Sequence, residues 1–285
     1  MKLQQKIEEN VFKILMIIST YFILFILGII IYSIFEKGLG SLSWEMISQI
    51  PKGGYYYGKG GGILNAILGS LSLAFGATVL AFIIGMPVAL YINVFLVRKK
   101  KLVTLIRFIL DLVWGIPSIV YGAFGFSFMI WIGLQTSLLA GTITVTLFIL
   151  PIMIRSMDEI LRTVPIGLSE ASYSLGSNKS ETAFKIFTRQ SFSGIITAVL
   201  LSFGRGIGDA ASVLFTAGYT DNLPNSLMEP VATLPLSIFF QLASPVPEVQ
   251  NRAYASALVL TLIILIVSLF SRGIGKRYHK TKINF

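Results

Sequence analysis

From Leu112 to Ile154 the chain reads LVWGIPSIVYGAFGFSFMIWIGLQTSLLAGTITVTLFILPIMI, 43 residues without a charge. A helix crosses a bilayer with about 20 predominantly apolar residues, so this run is too long for one crossing and sufficient for two. The polar break Gly133-Leu-Gln-Thr-Ser137 divides it, predicting spans over about 104–132 and 138–154. Carried outward, the same reading finds uncharged stretches at 14–35, 68–97 and 253–271, and one at 194–216 broken only by Arg205 and Asp209. The first of these, 22 residues long, exceeds the apolar core of a signal peptide and no A-x-A site follows it, so it is read as a retained helix. The expected fold is all-α and polytopic, six transmembrane helices forming one domain over residues 1–285.

Composition agrees with the spans. Hydrophobic residues make up 54% of the chain and charged ones 13%, against about a quarter in a soluble domain, and the mean hydropathy is +0.79. There is no Cys, which excludes disulfides, thiol nucleophiles, thiolate metal sites and iron–sulfur clusters. The one His, His279, sits in a basic tail, which removes most His-based catalysis and metal binding.

The 285 residues carry 23 Lys and Arg against 13 Asp and Glu, a net +10. Basic residues in short loops mark the cytoplasmic side. With the N-terminus inside, 18 of the 23 fall on inside segments and 4 outside, while Arg205 lies within a span. Both termini are therefore read as cytoplasmic, with a cytoplasmic loop at 155–190 and external loops at 36–67 and 217–252. The basic excess is then an orientation signal and not a nucleic-acid surface; the expected surroundings are the lipid bilayer. Pro87, Pro117 and Pro151 fall within spans, where a proline kinks the helix and leaves a carbonyl for neighbours or water to satisfy. Such kinks serve helix packing or movement.

The cytoplasmic loop carries helix punctuation. Pro165 followed by Ser169 as N-cap predicts one short helix, ended by Gly176, and Ser180 is expected to cap a second that continues toward Phe187. Two short helices bent at a glycine make a knob that fits a cleft in a soluble partner. In span five, Arg205 lies about 16 Å deep, where a cation costs roughly 3 kcal/mol and is expected to face protein or water. Asp209, at i+4, is within reach to neutralise it. The guanidinium fork matches phosphate oxygens in a bidentate way, so Arg205 is a candidate anion contact with Asp209 as its holder or gate. A purely structural buried pair stays open as the other reading. Gly204 and Gly208 form a small-xxx-small step at which another helix could approach closely, most simply across a dimer interface.

Two motifs are decoys. Gly53 to Gly60, GGYYYGKG, nearly spells a P-loop, but Gly60 stands where Ser or Thr would ligate Mg²⁺, no strand precedes it, and it lies outside the cell. The chain is thus expected to have no ATPase site and no cofactor or metal of its own. Gly206-Ile-Gly-Asp209 matches the GxGD of intramembrane aspartyl proteases, whose chemistry needs two carboxylates sharing a proton. The only other candidate, Asp111, can pair with Arg107, and Arg205 would depress the pKa of Asp209. A passive anion channel would explain Arg205 but leaves the knob without a purpose.

The cytoplasmic segment resembles the EAA loop of bacterial ABC importer permeases. Glu170, Ala171, Gly176 and Ile186 fall in register with that pattern, while Ser172, Thr188 and Arg189 replace its third Ala, its Leu and its Pro. The run from Gly204 to Gly218, GRGIGDAASVLFTAG, is similar to the RAIGETAPLLFTA segment of the PstA family of phosphate ABC transporter permeases, with Asp209 for Glu and Ser212 for Pro. Gly115 to Gly122 and Thr233 to Phe239 resemble further segments of that family. The resemblance implies the type I ABC importer permease fold in a prokaryotic inner membrane and phosphate as cargo. It also implies a homologous second permease of PstC type and an external phosphate-binding protein. Two ATP-binding cassette subunits would supply ATP and Mg²⁺ and dock on Glu170, Ala171, Ser172, Gly176 and Ile186. Sulfate, molybdate or phosphonate as cargo stays open, since one arginine does not tell these anions apart.

Overall fold

The computed structural model describes residues 3–53 and 60–279, with side chains from 5 to 273 outside that gap. Most of the P-loop-like stretch, Lys2, Lys280, Lys282 and the side chain of His279 lie outside the described residues. The described residues are mostly helical, with a long non-helical stretch at 208–233, one isolated bridge, Pro51 to Gly61, and no strand among them. Four helices are individually long and apolar enough to cross a membrane, and the number rises to at most six if each of two bent pairs, Lys100–Trp114 with Ser118–Trp131 and Lys179–Gln190 with Phe192–Ile207, counts as one span.

Helix α1 (Leu3–Ser41) packs along the last helix, and α2 (Trp44–Ser48) closes the external turn with Ser43 Oγ accepting from Met46 N at 3.1 Å. Helix α3 (Leu64–Leu90) runs on through a π turn at Tyr91–Phe95. Then come α4 (Lys100–Trp114), α5 (Ser118–Trp131) and α6 (Leu138–Leu161). The expected knob holds α7 (Ile166–Ser174), α8 (Lys179–Glu181) with a π turn at Thr182–Phe187, and α9 (Thr188–Gln190). Helix α10 (Phe192–Ile207), the external α11 (Leu234–Leu242) and α12 (Pro247–His279) complete the chain.

The centre is α3 against α6. Apolar packing gives little net drive between helices in lipid, so close approach of backbones carries the association. A small-residue stripe on α3 (Gly76, Ala77, Ala81, Gly85, Ala89) permits it: a Cβ on Gly76 would meet the Thr142 methyl at 3.1 Å, and one on Gly85 would meet Ile154 Cγ1 at 3.2 Å. Val145, Ile149, Met153, Met157 and Leu161 of α6 fill the opposite side and are fully buried. At the outer end Gly69 lies under Ala232, with its missing side chain overlapping the Ala232 carbonyl and the Val231 side chain. Gly69→Leu is expected to lower the melting temperature of the purified complex by several degrees, since overpacking a tight contact costs about 1–3 kcal/mol; an unchanged melting curve would contradict this packing.

The helix bounds differ from the sequence reading at every span: α1 (Leu3–Ser41) and α12 (Pro247–His279) outrun the expected 14–35 and 253–271, α2 and the end of α1 lie in the expected loop 36–67, and four further differences bear on the site. The span expected at 104–132 is two helices, α4 and α5, bent by 92°. Ile116 precedes Pro117, which disfavours helical backbone at Ile116, and Pro117 becomes the N-cap of α5. The span expected at 194–216 stops at Ile207. Beyond it Asp209 Oδ2 accepts from Ser212 N at 2.8 Å, and this local cap turns the backbone out of the helix. Helix α6 runs to Leu161, so Arg155, Asp158 and Glu159 belong to its last turns and not to the cytoplasmic loop. The external loop expected at 217–252 contains α11, whose Leu234 N donates to the buried Ser70 Oγ at 2.7 Å.

Candidate functional site

The knob is built from two interlocked turns. Helix α7 starts from Pro165, so Ser169 is not its N-cap; its hydroxyl bonds back to Ile166 O at 2.7 Å. At the other end Gly176 has φ +82°, Gly176 N donates to Tyr173 O at 3.0 Å and Ser177 N to Ser172 O at 3.2 Å. That pair of bonds is the Schellman stop, in which glycine takes the left-handed position without a Cβ penalty. Asn178, and not Ser180, caps the second helix: Asn178 Oδ1 accepts from Glu181 N at 2.9 Å while Glu181 Oε2 accepts from Asn178 N at 3.1 Å. Those two bonds close a reciprocal box. The Asn178 N–H, with Lys185 at 3.0 Å, holds the Glu181 carboxyl below its ordinary range.

Ser172, standing where the EAA pattern has its third Ala, is buried, and its Oγ lies 3.0 Å from Thr182 Oγ1. This contact clamps α7 to the second helix. Glu170, Ala171 and Gly176 are exposed and Ile186 half-buried, all on one knob. Beside them stand Leu175, 86% exposed, and Phe184, 62% exposed. Apolar side chains so exposed on a projecting knob form a patch suited to a protein contact. The sequence reading missed both, although Leu175 immediately before the capping glycine carried a signal. At Ser191 the knob meets α10 at 76° without the family's proline. The π turn leads into this junction, where Thr188 Oγ1 donates to Ala183 O at 3.1 Å.

Directly above the knob lies an ion cluster that the sequence reading did not identify. Asp158 is 0% exposed. Arg107 grips it with two bonds, Nε to Oδ2 and Nη2 to Oδ1, both 2.8 Å, and Arg155 Nη1 adds a third at 2.9 Å. Asn93 Nδ2 gives a fourth at 2.8 Å and also donates to Ala89 O. Arg155 continues to Asp111 at 2.7 Å and to Glu159 at 3.5 Å. The expected pairing of Asp111 with Arg107 is therefore not made. A fully buried carboxylate is tolerable only when paired and bonded throughout, so Asp158 draws both arginines. The cluster ties the π turn after α3, the middle and end of α4 and the last turns of α6 together.

Arg205 and Asp209 are not brought together. Arg205 sits in the last turn of α10, about 20 Å along it by helical rise. Its guanidinium lies 5.2 Å above the Phe148 ring, its side chain is exposed, and no ion pair with Asp209 forms. The break after Ile207 removes the helical i+4 register, and the Asp209 carboxylate is spent on Ser212 N. The glycine step is split in the same way. The Cβ position of Gly204 is open to at least 4 Å, whereas Gly208 lies beyond the helix, with Ile264 of α12 3.7 Å from its Cβ position. The open face of α10 thus carries Leu201, Gly204 and Arg205. An unpaired cation at this depth is costly against lipid, so this face is suited to water or another subunit. Asp111 and Asp209 are engaged by separate partners, Arg155 and Ser212, which leaves no shared-proton dyad for the protease reading.

Comparison with known proteins agrees with this architecture. Residues 81–280 match the family described as binding-protein-dependent transport system inner membrane component. The chain is 34% identical over 276 residues to the phosphate transport system permease protein PstA of Yersinia pestis, spanning 95% of this chain and 92% of that protein. It is 33% identical over 258 residues to PstA of Haemophilus influenzae, spanning 90% and 89%, and 35% identical over 213 residues to PstA 1 of Mycobacterium tuberculosis H37Rv, spanning 73% and 68%. Among solved structures, the MetNI methionine ABC transporter in inward-facing conformations superposes with a TM-score of 0.63 at 18% identity, over 76% of this chain and 95% of that one. That likeness gives the fold, the type I ABC importer permease. The chain belongs to the PstA family of phosphate transport system permease proteins, multi-pass inner-membrane components of binding-protein-dependent transport systems.

Proposed function

We propose that this chain is the permease subunit of an ATP-driven importer of inorganic phosphate, forming half of the translocation pathway. The identity to PstA proteins over nearly the whole chain carries the reading. As a member of an ABC importer permease family it works with ATPase and other subunits. The finer assignments are a second permease of PstC type, two ATP-binding cassettes that bring ATP and Mg²⁺, and an external phosphate-binding protein. On this reading Glu170, Ala171, Gly176 and Ile186, with Leu175 and Phe184, dock the ATPase. Closure of the ATPases then biases two packed states of the bundle. Among the described residues no group of three His, Asp or Glu is placed to hold a metal.

Arg205 is the residue assigned to phosphate. It has a guanidinium without an ion-pair partner among the described residues, on the open face of α10 near its end at Ile207. Asp209 acts on it indirectly, by fixing the turn after Ile207. Phosphate uptake in Arg205→Gln at wild-type membrane abundance is expected to fall about a hundredfold, the loss of a charged hydrogen bond of roughly 3 kcal/mol. Wild-type uptake in that variant would remove Arg205 from the pathway.

A further inference from the structure

The cytoplasmic boundary holds a cavity of about 510 Å³ that neither the knob's docking surface nor the Arg205 face uses. Its walls come from the π turn after α3 (Ile92, Asn93) and Val97 beyond it, the first turns of α4, the end of α6 and the root of α7, with Phe187 closing one side. Three cations line it, Lys100, Arg107 and Arg162, and no carboxylate does. Lys100 and Arg162 are exposed and have no acidic partner among the described residues. Arg107 spends Nε and Nη2 on Asp158 and Asn93, while Nη1 makes no hydrogen bond. The rest of the lining is largely apolar, with Ile92, Val97, Val103, Leu161 and Val164 among it. Arg98, Lys99 and Lys101 flank Lys100 in sequence.

A site with a cationic rim, an apolar floor and a position at the inner boundary of the membrane fits one ligand chemistry, a phosphate-bearing anion. Basic pockets between helices on this side of a membrane take lipid head groups, and a juxtamembrane basic run contributes about 1 kcal/mol per residue toward anionic lipid. We infer that Lys100, Arg107 and Arg162 form an anion site for a phosphate group, filled by the head of an anionic phospholipid. Occupied, it would bridge α4, α6 and the root of α7, the elements that join the bundle to the knob. The inference holds whichever anion the importer carries.

Because the chain has no Cys, Thr104→Cys places a single thiol in it at the cavity wall. The assembled importer carrying it is placed in nanodiscs, and maleimide labelling of this chain is followed by intact mass. The three conditions are phosphatidylcholine alone, phosphatidylcholine with phosphatidylglycerol, and phosphatidylcholine with millimolar inorganic phosphate at matched ionic strength. Phosphatidylglycerol is expected to slow labelling by about threefold, as for a site occupied two-thirds of the time, and Lys100→Gln/Arg162→Gln to abolish the slowing. Slowing by inorganic phosphate alone, lost in the same double variant, would keep the phosphate site and overturn the lipid as its occupant. Equal rates in all three conditions, or slowing that survives the double variant, would overturn the site.

Discussion

Asp158→Ala is expected to destabilise this protein more than any other single exchange considered. The carboxylate accepts four bonds from Arg107, Arg155 and Asn93 at 2.8–2.9 Å and is shut off from solvent. Removing it leaves two guanidinium groups facing one another across a buried space, and breaking a buried pair from one side costs about 3–5 kcal/mol. The assembled complex should melt well below wild type, and its membrane abundance should fall. Asp158→Asn should fare little better, since its amide N–H₂ would point a donor at a donor. The double variant Arg107→Leu/Asp158→Leu separates pairing from packing: it should recover part of the loss, because replacing both partners by apolar groups removes the stranded charge. Wild-type melting of Asp158→Ala would show that the cluster does not hold α4 to α6.

Gly176→Val should leave the protein in the membrane and disconnect it from ATP. The left-handed backbone at φ +82° is open to a β-branched residue only at a cost of about 1–2 kcal/mol. Nothing lies within 4 Å of the missing Cβ, so no core contact is lost. The strain falls on the Schellman stop that presents Leu175, and a cost of that size shifts an equilibrium by roughly 5–30-fold. Phosphate uptake and phosphate-stimulated ATP turnover should both fall by about that factor at normal abundance. Gly176→Asn should be milder, because Asn tolerates the left-handed region. Full coupling in Gly176→Val would place ATPase docking elsewhere on the chain.

These residues also mark where the sequence was readable. Long runs with few or no charges pointed to the apolar helices, because lipid leaves the backbone no other option. Gly176 announced the stop that the structure places there. Breaks inside spans were harder to see, since counting apolar residues does not register backbone direction. Ile116-Pro117 and the glycines from Gly204 to Gly208 were the available signals for a 92° bend and a helix ending at Ile207. The i+4 reading of Arg205 and Asp209 assumed a helix that ends between them. Asp158 was illegible for another reason: its burial comes from three helices meeting, and each looks like an ordinary amphipathic end on its own. Ser169 and Ser180 were plausible caps, but Pro165 set the earlier start, and the capping box at Asn178 with Glu181 displaced the serine by two residues.

The most direct test is anion uptake by proteoliposomes that hold this chain with its permease partner, its ATPases and its external binding protein. With ATP enclosed on the cytoplasmic side, phosphate should accumulate against its gradient, uptake should stop when hydrolysis is blocked, and sulfate or molybdate should neither be taken up nor compete. Phosphate flux that continues without ATP hydrolysis, or ATP-driven uptake of sulfate or molybdate in place of phosphate, would contradict the account.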